Sequence, residues 1–551
     1  MLSDAATVQI ELPKALQFEP RALALAPLPA SLPRDVESLH AMLHAQRQAC
    51  EQAHQQALLD VQQQATRHLQ YLYEQMALMR QRMFGRSSEV SADQHRLFDE
   101  AEVLAAQDEA AERDEPVDAG NSSAPAKKPR GHRAALPAHL PRVEIIHDVP
   151  QSERLCACGT PMVLIGQQIS EQLDIVPMKV QVLRHIRNRY GCPNGSEAHR
   201  QAPITAALPA QPLPKSNASA SLLAMLTTVK FVDGLPLYRF EKVMARHEVI
   251  LPRQTQARWV IGVSGLLQPL CNLARDTLYE GPVVHIDETL VQVLKEPGRA
   301  ASANSYMWVQ TGGPPGRPVV LYDYDPSRGG QVPLRLLAGY RGYVMSDGYE
   351  GYNGLAATPG VKHLVCMAHA RRKFVEAQRV QAKGKRGRAD EAIESIKALY
   401  RIEREGKQLS DAQRYALRQE KSVPALKTLK QWLDKTLLAV PPAGALGKAL
   451  AYLAKYWPKM SRYTERGDLP IDNNRCENAI RPFVVGRKAW LFNVTPAGAN
   501  ASALIYSMIE TAKANGVEPY RWLSHVLAKL PAAKTADDYE ALMPWNMKLT
   551  D

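Results

Sequence analysis

Hydrophobic residues change their spacing along this 551-residue chain, and each spacing predicts a different kind of structure. From Arg34 to Phe84 there is no proline or glycine, and apolar residues recur at steps of three or four. This spacing predicts a coiled-coil helix over residues 34–89, which would either pack on its own chain or mediate self-association. The apolar positions are Leu58, Val61, Ala65, Leu69, Leu72, Met76, Met79 and Met83.

A helical period also recurs in three short blocks between residues 219 and 265: SASLLAMLTTVKF, LPLYRFEKVMARH and PRQTQARWVIGVSG. Two short helices joined by a tight connection are typical of a helix-turn-helix motif, so we predict a DNA-binding domain over 206–272. Trp259 and Val260 are expected in its core. In such motifs the start of the last helix meets base edges. The polar residues there are Arg253, Gln254, Gln256 and Arg258.

From Gly281 onward, the pattern becomes that of β-strands. VVHIDETLVQVL, SYMWVQTGG and RPVVLYDYDP are β-rich runs separated by Gly/Pro turns. A helical stretch and two further strand segments follow, which gives the order βββαβαβ of a ribonuclease H-like domain. We therefore predict a multidomain α+β protein with a ribonuclease H-like α/β catalytic domain over 273–500, interrupted by a charged helical insertion at 375–470.

Two acidic residues lie at the ends of predicted strands, and a third lies on a predicted helix. Asp287 closes one apolar run, Asp347 follows another, and Glu477 lies in the helical segment DNNRCENAIRP. Each acid alone is explained equally simply as a turn or capping residue. Together, two strand-end carboxylates and one on a helix suit a pair of divalent cations that catalyse phosphoryl transfer.

The neighbours of these acids supply further candidates. Strand alternation puts Glu288 on the opposite face from Asp287, so we select Asp287 as the ligand. Asn473 and Arg481 lie four residues either side of Glu477, where they are predicted to orient it and contact phosphate. Further predicted DNA contacts are His369, Arg371, Arg372, Lys373, Arg487 and Lys488. The alternative for the arginines and lysines is a solvated surface charge. For His369 it is a polar group near the carboxylates or a structural histidine.

The seven cysteines do not form a disulfide framework. A zinc-finger-like domain is predicted over 134–205, although structural zinc sites need four ligands, usually in C-x2-C pairs. The alternative is a small β-ribbon domain without metal. Cys366 and His369 form a C-x2-H pair, which is too small a ligand set for zinc. The candidate zinc ligands in the upstream domain are Cys156, Cys158, Cys192 and, as a fourth, His199.

Composition favours a polyanionic partner, because the net charge is +12 and the pI is near 9.2. We find no secretory signal and no apolar run that approaches the roughly 18–20 residues of a membrane span, and so expect an intracellular protein with reduced thiols. Residues 1–33 are predicted to be a disordered tail. Residues 90–133 are predicted to be a linker, acidic at first and basic at its end.

An ordered series of motifs resembles transposases of the insertion-sequence 66 family from about residue 36 to the C-terminus. The resemblance implies a coiled-coil leader, a zinc-finger-like domain, a helix-turn-helix, a catalytic domain with Asp287, Asp347 and Glu477 as its DDE triad, and a helical C-terminal domain at 501–551. Prominent among the motifs are RMFGRSSE (82–89), HIDET (285–289), SDGYEGY (346–352), CMAHARRKF (366–374) and DNNRCENAIRPFVVGRKAWLF (472–492).

The resemblance also implies the cofactors and partners. These are Mg²⁺ or Mn²⁺ at the triad, double-stranded DNA of the element's terminal inverted repeats and of the target, and accessory proteins of the same element. A homo-oligomer and a bacterial cytoplasmic, nucleoid-associated location are expected. The family's two C-x2-C pairs are reduced here to Cys156, Cys158 and Cys192, which leaves Zn²⁺ binding open.

The function expected from the resemblance is metal-dependent DNA strand cleavage at element ends followed by strand transfer. Two alternatives remain. One is a catalytically inactive DNA-binding relic or repressor of the same family, and the other is a nuclease without joining activity.

Overall fold

A computed structural model describes residues 35–84, 180–185, 189–190, 204–205, 210–381 and 386–547. These residues form a mixed α+β structure that is mostly helical and contains a five-stranded sheet. No helix among them is long and apolar enough to cross a membrane. The chain divides into two compact units, one formed by residues 111–208 and the other by the rest of the chain.

The predicted coiled-coil segment forms one uninterrupted helix, α1 (Val36–Phe84), of 49 residues. The absence of proline and glycine allows this length, since those residues weaken helices most. Leu58, Leu69 and Met76 on its apolar face are each more than half exposed. The helix also contacts its own chain, since the Ala445 N–H donates to Glu74 Oε2 at 3.2 Å. The coiled coil and self-association stay predictions.

Two strands of two residues each pair antiparallel within the smaller unit: β1 (Arg189–Tyr190) and β2 (Ile204–Thr205). They lie in the segment for which the sequence predicts a zinc-finger-like or β-ribbon domain. Cys156, Cys158 and Cys192 lie outside the described residues, as do His199 and the predicted linker. Their predicted roles are therefore untested by the structure.

Three helices occupy the region of the predicted helix-turn-helix. The Ser219 hydroxyl caps the first by accepting the Leu222 N–H at 3.2 Å. The third is much longer than predicted and continues through Pro269, because Leu267 and Leu270 are fully buried and their packing outweighs the lost backbone hydrogen bond. The helices are α2 (Ala220–Phe231), α3 (Leu237–Ala245) and α4 (Arg253–Glu280).

The five-stranded sheet has the order β5-β4-β3-β6-β7. The first three strands in the chain form an antiparallel meander, and β6 and β7 extend it in parallel beside β3. Parallel neighbours need crossover connections. Helix α5 (Gln331–Leu336) connects β5 to β6, and a 3₁₀ helix (Glu350–Ala357) connects β6 to β7. The strands are β3 (Val283–Gln292), β4 (Asn304–Gly312), β5 (Val319–Asp325), β6 (Gly342–Ser346) and β7 (Val361–Val365).

Helix α6 (Met367–Arg379) follows β7 and leads into the charged segment that was predicted to be a helical insertion. The insertion is not a separate body. Leu429 and Leu450 from the insertion share one buried core with Phe374 of α6 and Leu364 of β7. Its α-helices, among the described residues, are α7 (Arg388–Glu405), α8 (Asp411–Leu417), α9 (Val423–Ala439) and α10 (Ala445–Met460).

The C-terminal helices close the structure over the outer strand, β5. The Ser507 hydroxyl accepts the Tyr322 N–H at 2.7 Å, and the Thr511 hydroxyl accepts the Val320 N–H at 3.1 Å. The two hydroxyls thus bind backbone N–H groups along the outer edge of β5. Without these partners, the N–H groups would be open to pairing with another strand. The helices are α11 (Asn474–Trp490), α12 (Pro496–Ala514), α13 (Pro519–Lys529) and α14 (Ala536–Ala541).

Candidate active site

Asp287 and Asp347 occupy matching positions on neighbouring parallel strands. In the register of β3 and β6, His285 lies opposite Met345, and each aspartate is two residues further along its strand. Asp287 is still within β3, while Asp347 directly follows Ser346, the last residue of β6. Because parallel neighbours run in the same direction, this register brings both carboxylates to one edge of the sheet, the one at which β6 ends.

Helix α11 carries Glu477 to the same edge, and the residue before the helix fixes its position. The buried side chain of Asn473 hydrogen-bonds His285 Nδ1 at 3.0 Å and donates to the Ile286 carbonyl at 3.1 Å. His285 and Asp287 are two residues apart on β3 and therefore point to one face. Glu477 lies about one helical turn beyond Asn473, so α11 presents it on the face that carries Asp287.

The three carboxylates are close enough to oppose one another's ionisation. Burial raises the pKa of Asp287 well above its usual range, and the negative charges of Glu288, Asp347 and Glu477 raise it further. Burial also raises the pKa of Glu477 to about 7, with Arg372 opposing the rise and the charges of Asp472 and then Asp347 adding to it. Perturbed carboxylates that face one another in this way are characteristic of functional sites.

The ligand set fits hard divalent cations. All three side chains offer carboxylate oxygens, the ligand type that Mg²⁺ and Mn²⁺ prefer. Within the described part of the chain, Glu477 Oε1 is buried and makes no hydrogen bond. A divalent cation at this edge would offset the repulsion that raises the pKa values of Asp287 and Glu477.

Two side chains of α6 approach Glu477. His369 Nδ1 lies 3.6 Å from Oε1 of the carboxylate, and Arg372 Nη2 lies 3.6 Å from Oε2. Both side chains are mostly buried. The sequence also placed His369 near the carboxylates, and the structure confirms that position. The DNA contacts predicted for His369 and Arg372 stay predictions, since in the structure both side chains approach Glu477.

A fourth acid, Glu288, is buried beside the site but has cationic and hydrogen-bonding partners. Its Oε1 lies 2.6 Å from Arg328 Nη2, and its other oxygen accepts a hydrogen bond from the Tyr352 hydroxyl. The Arg328 guanidinium lies 3.9 Å from the centre of the Tyr349 ring, and the Tyr349 N–H donates to Asp347 Oδ1 at 2.8 Å. This network joins the loop after β5 to the segment that carries Asp347.

Sequence reasoning missed the roles of Arg328, Tyr349 and Tyr352. The two tyrosines stood in the motif SDGYEGY, so their spacing beside Asp347 was an available signal. Arg328 is 40 residues from its partner Glu288 in sequence, and only the fold brings the two together.

Comparison with known families agrees with this site. The model of the IS66 transposase family matches residues 215–501, which is more than half of the chain and includes all three acids. The chain belongs to the IS66 transposase family. The IS66 C-terminal element matches residues 507–545, and the zinc-finger binding domain of transposase IS66 matches residues 153–194. A model described as transposase C of IS166 homeodomain matches residues 71–145.

This IS66-family transposase is also similar to proteins of Sinorhizobium fredii. It is 32% identical to the uncharacterized protein y4jD over 428 residues, which cover 75% of this chain and 81% of the relative. It is 33% identical to the uncharacterized protein y4qI over 436 residues, which cover 77% and 79%, respectively. These relatives add nothing about the reaction, since both are uncharacterized.

The homeodomain match concerns a different part of the transposase from the predicted helix-turn-helix. It covers residues 71–145, which include the end of α1 and the predicted linker, whereas the sequence placed the helix-turn-helix at 206–272. A helix-turn-helix-like DNA-binding region is thus supported for this transposase. The individual DNA contacts on α4 stay predictions.

One predicted base contact on α4 is wrong. Gln256 is fully buried and donates to the Leu251 carbonyl at 2.9 Å, so its amide is committed to its own chain. Trp259 and Val260 are buried, as expected. The exposed residues that stay candidates for base contacts are Arg253, Gln254 and Arg258.

Two further predicted DNA contacts are wrong because the side chains are buried. Asn473 has no exposed surface and binds the strand β3 instead, and Arg371 lies in the interior on α6. Lys373 is partly exposed, with its ammonium 4.7 Å from the centre of the Tyr452 ring. The basic residues of α11 that retain exposed surface and stay predicted contacts are Arg481, Arg487 and Lys488.

Proposed function

We propose that this transposase cleaves DNA strands at the ends of its element and transfers those ends into target DNA. The observation that carries the proposal is the meeting of Asp287, Asp347 and Glu477, buried or partly buried, at one edge of the sheet. The strand order and the two parallel crossovers support a ribonuclease H-like catalytic domain. We propose Mg²⁺ or Mn²⁺ as the cofactor.

The three carboxylates would hold the divalent cations in this proposal. Bound cations would activate the attacking water or 3′-hydroxyl and stabilise the leaving oxygen. Asp287, Asp347 and Glu477 supply the carboxylate oxygens, and the charges of the other two acids act on Asp287. Arg372, whose Nη2 lies 3.6 Å from Glu477 Oε2, limits the movement of Glu477.

DNA binding is proposed for the exposed basic surfaces of the chain. The net charge of +12 favours a polyanion, and Arg253 and Arg258 are exposed near the start of α4. Binding by such residues releases counterions, so we expect affinity to fall steeply as salt rises. A flat salt dependence, measured with a labelled element-end duplex, would count against this surface.

The remaining partners are also proposals. The exposed apolar face of α1 supports a homo-oligomer, since Leu58 and Leu69 are exposed at coiled-coil spacing. Leu58→Lys with Leu69→Lys should lower the mass of the purified protein in solution. Accessory proteins of the same element remain expectations drawn from the family, as does Zn²⁺ in the domain over 134–205.

The central experiment incubates the purified protein with DNA that carries its element ends and Mg²⁺. Asp287→Asn, Asp347→Asn and Glu477→Gln should each lower strand cleavage and joining by at least about 1,000-fold, since a metal site supplies several kcal/mol. Binding of the duplex should persist. Glu350→Gln is the matched control, because Glu350 is three residues from Asp347 but exposed and paired with Lys455.

Three results discriminate between the functions. Near-wild-type cleavage in all three variants would refute the assigned triad. Binding without any cleavage by the unaltered protein would favour a DNA-binding relic or repressor. Cleavage without joining in a strand-transfer assay would favour a nuclease.

A further inference from the structure

A thiol, an imidazole and a carboxylate lie close together beside the candidate active site. One ligand atom from each of Cys366, His369 and Glu477 lies within 4.8 Å of the other two. Cys366 directly precedes α6, His369 lies in the first turn of that helix, and Glu477 comes from α11. Sulfur, nitrogen and oxygen ligands together suit Zn²⁺, whereas Mg²⁺ takes oxygen ligands.

Two backbone N–H groups point at the sulfur of Cys366. Its Sγ accepts the Asn473 N–H at 3.2 Å, and the backbone N–H of His369 also donates to it. Hydrogen bonds to a charged acceptor are stronger than those to a neutral one, so these donors favour a thiolate once a cation is present. In the absence of a cation, burial and then the charge of Glu477 raise the pKa of the thiol.

The two oxygens of Glu477 face different partners. Oε1 lies near His369, and Oε2 lies near Arg372, each at 3.6 Å. A cation held by His369 and Oε1 therefore leaves the Arg372 ion pair in place. Because Arg372 adds positive charge beside the site, it should weaken the binding of a cation there.

We propose that Cys366, His369 and Glu477 form an inhibitory binding site for Zn²⁺ or a similar thiophilic divalent cation. Binding releases the thiol proton to solvent and leaves one coordination position for water. Inhibition follows from the proposed function, because Glu477 cannot serve both this site and the Mg²⁺ ligand set. The cation binding itself is independent of that function.

Co²⁺ is a direct probe, because its bond to a thiolate gives a charge-transfer absorption band. The full chain is titrated with Co²⁺ after Cys156, Cys158 and Cys192 have been replaced by serine in every sample, which removes the predicted zinc-finger-like ligands. We expect the band in this parent protein. Cys366→Ser should abolish it and weaken Co²⁺ binding by about 10- to 100-fold, a range seen even for the outer partners of metal ligands.

Cys476→Ser is the matched control. Cys476 is also buried and precedes Glu477, but its thiol donates to the Val309 carbonyl at 3.3 Å and lies outside the cluster. This variant should keep the band. Arg372→Gln should tighten Co²⁺ binding, since it removes a neighbouring positive charge.

Absence of the band from the parent protein, or its persistence in folded Cys366→Ser, would overturn the proposal. Thermal unfolding and circular dichroism establish that each variant is folded. If Cys366→Ser does not fold, His369→Gln tests the same site, because it removes a ligand while keeping the thiol. Unchanged Co²⁺ affinity in His369→Gln would equally overturn the proposal.

A cleavage assay tests the inhibitory consequence. Zn²⁺ should inhibit Mg²⁺-dependent cleavage by the protein that retains Cys156, Cys158 and Cys192 at a concentration at least about tenfold lower than in its Cys366→Ser variant. Equal sensitivity of the two proteins would refute inhibition through this site. Failure of the proposed function would appear differently, as no cleavage in any sample while the Cys366-dependent band is intact.

Discussion

The helical insertion and the candidate active site each bury charged groups, but they surround them in opposite ways. In the insertion, the Arg418 guanidinium is 1% exposed and contacts Glu403 at 2.9 and 2.5 Å. It also donates to the backbone carbonyls of Tyr463, Arg466 and Leu469 at 2.5–2.9 Å. At the active site, Asp287 and Glu477 instead face other acids, and their pKa values are raised.

The difference separates a cluster whose charge is compensated from one in which acids face one another. A buried charge with a full set of partners fixes the chain around it, and Arg418 joins the start of the π-helical turn 418–422 to the segment that leads to Glu477. Facing carboxylates instead cost folding free energy, which a bound cation recovers. Glu288 is intermediate between the two clusters, because it lies beside the acids but pairs with Arg328.

The largest effect on stability is expected for Arg418→Ala. Removal of the guanidinium leaves Glu403 and three carbonyls without their donor, which should lower the free energy of unfolding by about 3–5 kcal/mol. Denaturant unfolding followed by circular dichroism measures this loss. Lys421→Ala is the control, because its pair with Glu405 is exposed to solvent and should contribute little to stability. Equal losses of unfolding free energy in the two variants would refute the special role assigned to the buried Arg418 cluster.

Glu477→Gln should do the opposite and stabilise the metal-free protein. The folded-state pKa of Glu477 is about 7 and its ordinary value is 4.5, so the wild type loses stability as pH rises through this window. At pH 8 the variant should unfold with a free energy higher by up to about 3 kcal/mol, an advantage that disappears near pH 4.5. Thermal unfolding at both pH values measures it.

Mg²⁺ provides the second half of this test. The cation should raise the unfolding temperature of the wild type more than that of Glu477→Gln, because only the wild type has the full ligand set. A variant that is less stable than the wild type at pH 8 without metal would contradict the account of the active-site acids.

Arg328→Gln tests the intermediate cluster. The change leaves the buried Glu288 without its cation and should cost about 1.5–3 kcal/mol of stability. It should also raise the Mg²⁺ concentration needed for half-maximal cleavage, since the network positions Asp347 through Tyr349. Arg335→Gln is the control, because Arg335 also pairs with an acidic residue, Asp325, but its own side chain is 59% exposed. The idea fails if both variants lose the same stability and keep the same Mg²⁺ requirement.

The smallest change in stability is expected for Arg258→Ala on the exposed face of α4. Loss of an exposed side chain should alter the free energy of unfolding by no more than about 0.5 kcal/mol. DNA affinity should nevertheless fall, and the slope of its salt dependence should decrease by about one. Gln256→Ala should show the reverse, lower stability with unchanged affinity, because Gln256 is buried. A loss of affinity in Gln256→Ala alone would restore the original prediction of a base contact there.

Local patterns made much of the fold predictable. Apolar β-branched runs between glycine and proline turns gave the strands around Asp287 and Asp347, and steps of three or four gave α1. The same reasoning failed for Gln256, Asn473 and Arg371, which it assigned to DNA. Their polarity suggested a surface, but burial depends on which elements pack against them, and no local pattern contains that information.

The sequence by itself determined the order of the elements and the family, because these depend on residue types at short or ordered spacings. It also singled out the three acids as candidates. Only the tertiary structure decided which charges are compensated. Arg328 reaches Glu288 across 40 residues, and α6 brings Cys366 and His369 to Glu477 from more than 100 residues away. Electrostatic compensation depends on distance in space and on exclusion of water, and folding sets both.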